Sequence, residues 1–330
     1  MCSNSMKKFQ TIIKRTLFVA IVSIGIGVVA LSYFFIANKA PFLYGRVEYH
    51  VPYNSAHELD VYYPTRRVYP KSPVLLFVHG GGWVTGIKES VNTNKFNGAF
   101  NMLRDAGYTI VSPSYTLARD GKSPFPDCIV NGYEAIDWVR RHADSLNVDL
   151  DNFGVMGESA GAQIAMMNAF VDPSQFGLEM EQFVADYVVD IYGPTDLNAL
   201  YHSPTVDTVT QIVKKLPGSM QESFDLPKLL FGFEPGADSA RTIAFTEKYS
   251  PSNYLSADLP PVLIVHGDVD LVVPFEQSKM LKASLDSLGV ENEFHEMKGV
   301  HHAFAGVSKA DRDSVQVWIA EFVKRQYNKN

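Results

Sequence analysis

Four short stretches of this 330-residue chain hold the residue types that acyl transfer needs: a serine, carboxylates, histidines and glycine-rich backbone. The first is Gly157-Glu158-Ser159-Ala160-Gly161, set between an apolar run ending at Met156 and the helix-forming run 162–167. A serine at the apex of a sharp strand-to-helix turn is lifted clear of backbone partners, and the flanking glycines let strand and helix approach closely. The helix that follows aims unpaired N–H groups and a partial positive charge at the place where an oxyanion would develop. Ser159 is therefore the candidate nucleophile, and the N–H of Ala160 a candidate oxyanion donor.

The second stretch, His79-Gly80-Gly81-Gly82-Trp83, directly follows the apolar run 73–78. Three glycines at a strand end cost conformational entropy unless the backbone itself must approach a ligand. The N–H groups of Gly81 and Gly82 would then join that of Ala160 in an oxyanion hole, with His79 holding the loop. The third stretch, His266-Gly267-Asp268-Val269-Asp270, follows the buried run 262–265. Asp270 is the candidate for orienting an imidazole and stabilising its charge, while Asp268 caps the turn. The fourth, Lys298-Gly299-Val300-His301-His302-Ala303-Phe304, supplies two adjacent histidines. A neutral imidazole is suited to take the serine proton and return it to a leaving group near neutral pH. Spacing alone does not choose between His301 and His302. His50, His57, His142, His202 and His295 lack a comparable setting and read as surface or structural residues. No H-E-x-x-H or C-x-x-C motif is present, so neither a metal nor an organic cofactor is expected.

These stretches must be carried on a sheet. Residues 46–51 and 59–63 read as an antiparallel hairpin turned at Asn54-Ser55. Runs at 73–78, 108–112, 153–156, 185–192, 262–265 and 293–297 read as further strands, several of them buried on both faces. Helices are expected at 94–106, 128–143, after Pro274, and at 311–327. Strands alternating with helices indicate a mainly parallel sheet covered on both sides. Residues 194–249 interrupt that alternation, with helical pieces expected at 206–215 and 222–230. So long a connection is either a cap over the carboxyl ends of the strands or a surface excursion.

Together HGGGW at 79–83, GESAG at 157–161, HGDVD at 266–270 and HHAF at 301–304 resemble the α/β-hydrolase esterases. In particular they look like the group similar to hormone-sensitive lipase and the feruloyl-esterase-like carboxylesterases. The resemblance runs over residues 47–327 and implies an α/β fold with an eight-stranded, mostly parallel sheet. It also implies serine carboxylesterase activity on small acyl esters through a Ser-His-Asp triad and an acyl-enzyme, with the oxyanion on Gly81, Gly82 and Ala160. In that family the acid is the second aspartate of HGxxD, here Asp270. The last motif commonly reads G-x-x-H-G-F, which aligns Gly299 and Phe304 and gives the base role to His302. Two departures stand out: Glu158 where many members have Asp, and Ala303 where they have Gly. Trp83 and Tyr115 are candidates for the substrate pocket. The substrate would be a small-molecule, carbohydrate or lipid ester. A serine exopeptidase of the same fold and a catalytically silent binding protein are the alternatives. The former typically brings a further large domain, and the latter has no need of a full set of catalytic motifs.

Composition sets the context. A net charge of −7, with Lys7, Lys8, Lys14, Arg15 and Lys39 the only charges before Pro41, leaves −12 for the remainder. An acidic body lacks the basic footprint of a nucleic-acid binder. The two cysteines, Cys2 and Cys128, flank a long apolar segment, so no disulfide is expected between them. That segment, 16–37, is uncharged, and its 22 residues would span about 33 Å as a helix. It follows a basic cytoplasmic N-terminus at 1–15 and precedes a linker at 38–45 and a hydrolase domain at 46–330. The charge bias leaves the N-terminus in the cytoplasm and puts the rest of the chain across a membrane. An uncleaved anchor is favoured over a cleaved signal peptide, whose apolar region would be shorter and followed by a small-residue cleavage site. No motif sets an oligomeric state.

Overall fold

The computed structural model describes residues 43–213, 215 and 225–327. Eight strands form one sheet: β1 (Val47–Pro52), β2 (Glu58–Tyr62), β3 (Ser72–Val78), β4 (Thr109–Pro113), β5 (Val148–Glu158), β6 (Val188–Ile191), β7 (Val262–Gly267) and β8 (Asn292–Met297). Their order across the sheet is β1-β2-β4-β3-β5-β6-β7-β8. The β1–β2 and β2–β4 pairs are antiparallel and all the others are parallel.

All seven residues of β3 are buried, and alternate side chains enter opposite cores. Val74, Leu76 and Val78 face one core, against helices α2 (Asp127–Arg141) and α3 (Ala160–Phe170). Leu75 and Phe77 face the other, with helix α1 (Asn97–Asp105) and the C-terminal helix α9 (Lys309–Gln326). That two-residue period is what a strand covered by helices on both faces requires. Register sets the working end of the sheet. Val78 pairs with Gly157, Glu158 with Ile191, Ile191 with Val265 and Gly267 with Met297. The loops that follow β3, β5, β7 and β8 therefore leave at one level along one edge.

Two strands differ from the sequence reading. β5 starts at Val148 rather than 153, because Asn147, in the left-handed conformation, turns the chain so that Val148 and Asp149 pair with Ser72 and Pro73. The polar run Asp149-Leu150-Asp151-Asn152 hid that half of the strand. β6 is shorter than expected, at Val188–Ile191.

The 194–249 insertion is helical: α4 (Leu197–Tyr201), α5 (Pro204–Val213), α6 (Leu226–Phe231) and α7 (Ser239–Tyr249). Asp196, Asp225 and Asp238 open three of these helices, each accepting a backbone N–H with its carboxylate, as an N-cap does. The sequence reading anticipated α5 and α6 but neither α4 nor α7. Part of the 222–230 piece lies outside the described residues. Helix α8 (Glu276–Leu288) follows the aspartate loop. The apolar segment 16–37 also lies outside the described residues, and no helix among those described is long and apolar enough to cross a membrane.

Candidate active site

Ser159 takes φ 53° and ψ −124°, a strained conformation of the sort that persists only where its surroundings over-determine it. The surroundings do so by clearance. A Cβ at Gly161 would sit 2.2 Å from the Val78 carbonyl oxygen, and one at Gly157 would sit 2.2 Å from that of Gly161. The elbow thus presses helix α3 directly onto the end of β3.

Ser159 Oγ lies 2.9 Å from His302 Nε2, and His302 Nδ1 lies 2.6 Å from Asp270 Oδ2. The structure brings these three residues together from the ends of β5, β7 and β8. Of the adjacent histidines it is His302 that faces the serine. His301 is exposed, with Nδ1 2.9 Å from the Val269 carbonyl. The Asp270 side chain is fully buried. Burial works against its charge, yet hydrogen bonds from His266 and His302 hold its carboxyl well below the usual carboxylate range. Its other oxygen accepts the N–H groups of Val272 (2.7 Å) and Val273 (3.0 Å). Asp268 reaches across to accept the Gly299 N–H at 2.6 Å, tying the aspartate loop to the histidine loop.

The glycine loop lies alongside. Gly81 takes φ 122°, and a Cβ there would fall 2.0 Å from the Thr85 carbonyl oxygen, so only glycine fits. Among the described residues no acceptor takes the backbone N–H of Gly81, Gly82 or Ala160. His79 is buried, and burial holds its pKa down at about 4, so it is neutral. Its Nδ1 lies 2.8 Å from the Gly80 carbonyl, and its ring stacks on Tyr115 at 4.3 Å. Tyr115, expected at the substrate pocket, instead lies under the loop, where its hydroxyl donates to the His79 carbonyl. Trp83 does line a cavity, and its Nε1 donates to Gln163 Oε1, whose amide in turn donates to the Tyr249 carbonyl on α7.

That cavity is about 300 Å³, and its walls include Gly82 of the glycine loop and Val272 of the aspartate loop. All four helices of the insertion contribute, through Leu197, Val206, Leu230 and Phe245 among others. Among the described residues no charged side chain lines it.

Glu158 is half-buried, and its partial burial raises its pKa. It accepts from the Tyr192 hydroxyl at 2.9 Å and from the Gly80 N–H at 3.4 Å, linking the elbow to the glycine loop. The Tyr192 ring packs edge-on against His302 and Phe304. These contacts involve residues far apart in sequence, and spacing gave no sign of them. Ala303 takes φ 54° and ψ 28°, a left-handed conformation that favours glycine.

His50, Asp60 and Glu89 come close enough together to hold a metal ion. Their centre is filled by the chain's own cation: Lys88 Nζ lies 2.9 Å from Asp60, 2.6 Å from Glu89 and 3.2 Å from His50.

Sheet order, elbow and the Ser159–His302–Asp270 arrangement define an α/β-hydrolase. A solved carbohydrate esterase from gut microbiota, in truncated form, shares this fold with a TM-score of 0.65. It is 22% identical, and the match covers 87% of this chain and 99% of that one. A family model described as BD-FAE matches residues 59–285, and the chain belongs to that family. A probable carboxylic ester hydrolase, LipM, of Mycobacterium tuberculosis is 25% identical over 285 residues, 83% of this chain and 59% of the relative. Esterase LipQ of the same organism is 27% identical over 238 residues, 71% of this chain and 51% of the relative. The chain thus matches little more than half the length of these two relatives.

Proposed function

We propose that this chain is a serine carboxylesterase that hydrolyses esters of uncharged, apolar acyl groups through an acyl-enzyme. One observation carries the reading: the unbroken hydrogen-bonded series from Ser159 Oγ through His302 to Asp270, at 2.9 and 2.6 Å. His302 Nε2 takes the Ser159 proton as the oxygen attacks the ester carbonyl, and Asp270 stabilises the imidazolium that forms. The carbonyl oxygen becomes an oxyanion held by the N–H groups of Gly81, Gly82 and Ala160. His302 then protonates the departing alcohol. Water then gives a proton to His302 as it attacks the acyl carbonyl, and His302 passes that proton to Ser159 Oγ as the carboxylic acid leaves.

The cavity is lined by apolar residues and by Gly82, one of the proposed oxyanion donors, and we assign it to the acyl group. Each methylene buried there would contribute about 0.8 kcal/mol, roughly a fourfold gain in kcat/KM, until the cavity is full. An exopeptidase must hold a charged peptide terminus, and among the described residues the lining supplies no partner for one.

We also propose that residues 16–37 anchor the enzyme in a membrane, with the catalytic unit on the far side; the support is the uncharged run and the basic residues before it. Alkaline carbonate extraction tests this: the full chain should stay with the membranes, and release into the supernatant would sink the idea.

Hydrolysis of p-nitrophenyl esters from acetate to decanoate, with Ser159→Ala alongside, tests the activity. Turnover should rise with chain length to a maximum and be lost in the variant.

A further inference from the structure

Asp270 serves two imidazoles. Its Oδ2 lies 2.6 Å from His302 Nδ1 and 3.1 Å from His266 Nε2, while its Oδ1 accepts the N–H groups of Val272 and Val273. Four donors on one carboxylate fill its four lone-pair sites and fix its plane and rotation. His266 is wholly buried at the penultimate position of β7, within the stretch that carries Asp270, yet it is not among the residues that line the cavity. Its Nε2 also lies 3.1 Å from the Val273 carbonyl. Both neighbours of Nε2 can only accept, so that nitrogen carries the proton. Nδ1 lies 2.7 Å from the hydroxyl of Ser278, which is also wholly buried, on α8. A neutral His266 with its proton on Nε2 satisfies every contact: it donates to Asp270 and Val273 and accepts from Ser278.

We propose that His266, held by Ser278, is a positioning residue for Asp270, so that the working unit is a five-member series Ser159–His302–Asp270–His266–Ser278. This deepens the esterase reading and rests on it. The physical reason lies in the rotation of a short carboxylate. Two backbone N–H groups hold Oδ1, but with His302 as its only other donor, Oδ2 would follow the imidazole as it swings between serine and leaving group. A second donor from a rigid strand fixes Oδ2 in place, so the imidazole turns against a stationary partner. The same donor draws off part of the carboxylate's charge and so tunes His302. The charged or titratable groups around His302 are Asp270 at Nδ1, Ser159 at Nε2, and Glu158 beyond the Tyr192 ring. His266 acts through the first of these.

The test compares His266→Phe, His266→Gln and Ser278→Ala in the full chain. Losing a hydrogen bond to a charged group should lower kcat roughly 10- to 100-fold in His266→Phe with KM within about twofold, since the side chain touches no substrate. Glutamine sets an amide N–H near the Nε2 position and should bring kcat back to within a few-fold of wild type. Ser278→Ala should lose less than His266→Phe. With one donor fewer on Asp270, more of its charge acts on His302, so the acid limb of kcat/KM should move to higher pH in His266→Phe. The proton between His302 Nδ1 and Asp270 should give a low-field resonance that shifts in the same variant. A folded His266→Phe enzyme with wild-type kcat overturns the proposal. So does a loss that glutamine fails to restore, with the acid limb and the resonance unmoved, which would mark a purely packing role. If His266→Phe does not fold, Ser278→Ala decides: an unchanged kcat and an unmoved resonance overturn the series. If the wild-type chain hydrolyses no ester, the esterase reading fails separately, and the resonance in the variants still judges the positioning role.

Discussion

The rim that carries Ser159 and the insertion that lines the cavity are held with a different balance of contacts. At the rim nearly every group is fixed by a specific polar partner or by lack of room. Asp270 has four donors, His79 is trapped between Gly80 and Tyr115, and no side-chain atom fits at Gly161. The insertion has polar ties as well, such as Ser123 Oγ to the Leu230 carbonyl and Gln163 to the Tyr249 carbonyl, but it is built around an aromatic cluster in which Phe245 and Tyr249 pack on Phe125, and Phe231 and Phe233 pack on Phe245. Apolar packing is tolerant of substitution where directed hydrogen bonding is not. On the proposed function, the chemistry would be set by the rim and the choice of acyl group by the insertion.

The sharpest way to break this division is at Asp270. Asp270→Asn should keep the fold and lower kcat by about 10³- to 10⁴-fold, because the amide turns a donor toward His302 and favours the wrong tautomer. A loss under tenfold in steady-state assays would mean that the carboxylate only fastens the loop. Next comes Gly161→Ala, whose methyl would meet the Val78 carbonyl at 2.2 Å. Overpacking of this kind should cost about 3 kcal/mol, seen as a lower midpoint in urea unfolding. A matching stability in the variant would show that the elbow has slack.

On the other side of the comparison, Val206→Trp places bulk in the cavity from a half-buried position on α5. The hexanoate-to-acetate ratio of kcat/KM should fall about tenfold while acetate turnover holds. A fall on both esters alike would mean that the insertion shapes the rim as well.

Much of the rim could be read directly from the sequence. Small residues next to a serine, three glycines at a strand end and an aspartate after a buried strand each have a steric or electrostatic reason to be where they are. What could not be read was partnership across the rim. Glu158 with Tyr192, Gln163 with Trp83 and Tyr249, and His266 with Ser278 all join separate segments, and local spacing carries no trace of such pairs. His266 stood inside a recognised motif without a role. Helix α7 was missed because its buried face carries Thr242 and Thr246 while Ile243 is exposed, which breaks the apolar periodicity, although Asp238 signals its start. Tyr115 was misplaced because an aromatic residue after a strand end can face a pocket or the layer beneath it, and only packing decides.

Two smaller effects sharpen the picture of how the rim is supported. Asp190 on β6 is wholly buried, with one oxygen accepting the Gly193 N–H, and burial pushes its carboxyl up to about 7. An unfolded aspartate titrates near 3.9, so between about pH 4 and 7 the folded state holds a proton that the unfolded state has lost. Stability from this group is present at low pH and falls as pH rises through 7. Asp190→Asn should flatten that part of the thermal stability profile between pH 5 and 8, whereas an unchanged slope would assign it to other groups. The smallest effect is expected at Ala303. Ala303→Gly should raise stability by about 1 kcal/mol by relieving a left-handed alanine, with kcat near wild type. Thermal denaturation would show this as a rise of a few degrees at most, and a lower midpoint would show that the alanine methyl packs usefully.

The most direct measurement is to trap the acyl-enzyme. Rapid acid quench during turnover of p-nitrophenyl hexanoate, followed by intact mass and peptide mapping, reads whether and where acyl is carried. A hexanoyl adduct on the peptide containing Ser159, formed at the rate of the nitrophenol burst and missing in Ser159→Ala, is the predicted result. Hydrolysis with no adduct on that serine, or an adduct that persists in Ser159→Ala, would contradict nucleophilic catalysis by Ser159.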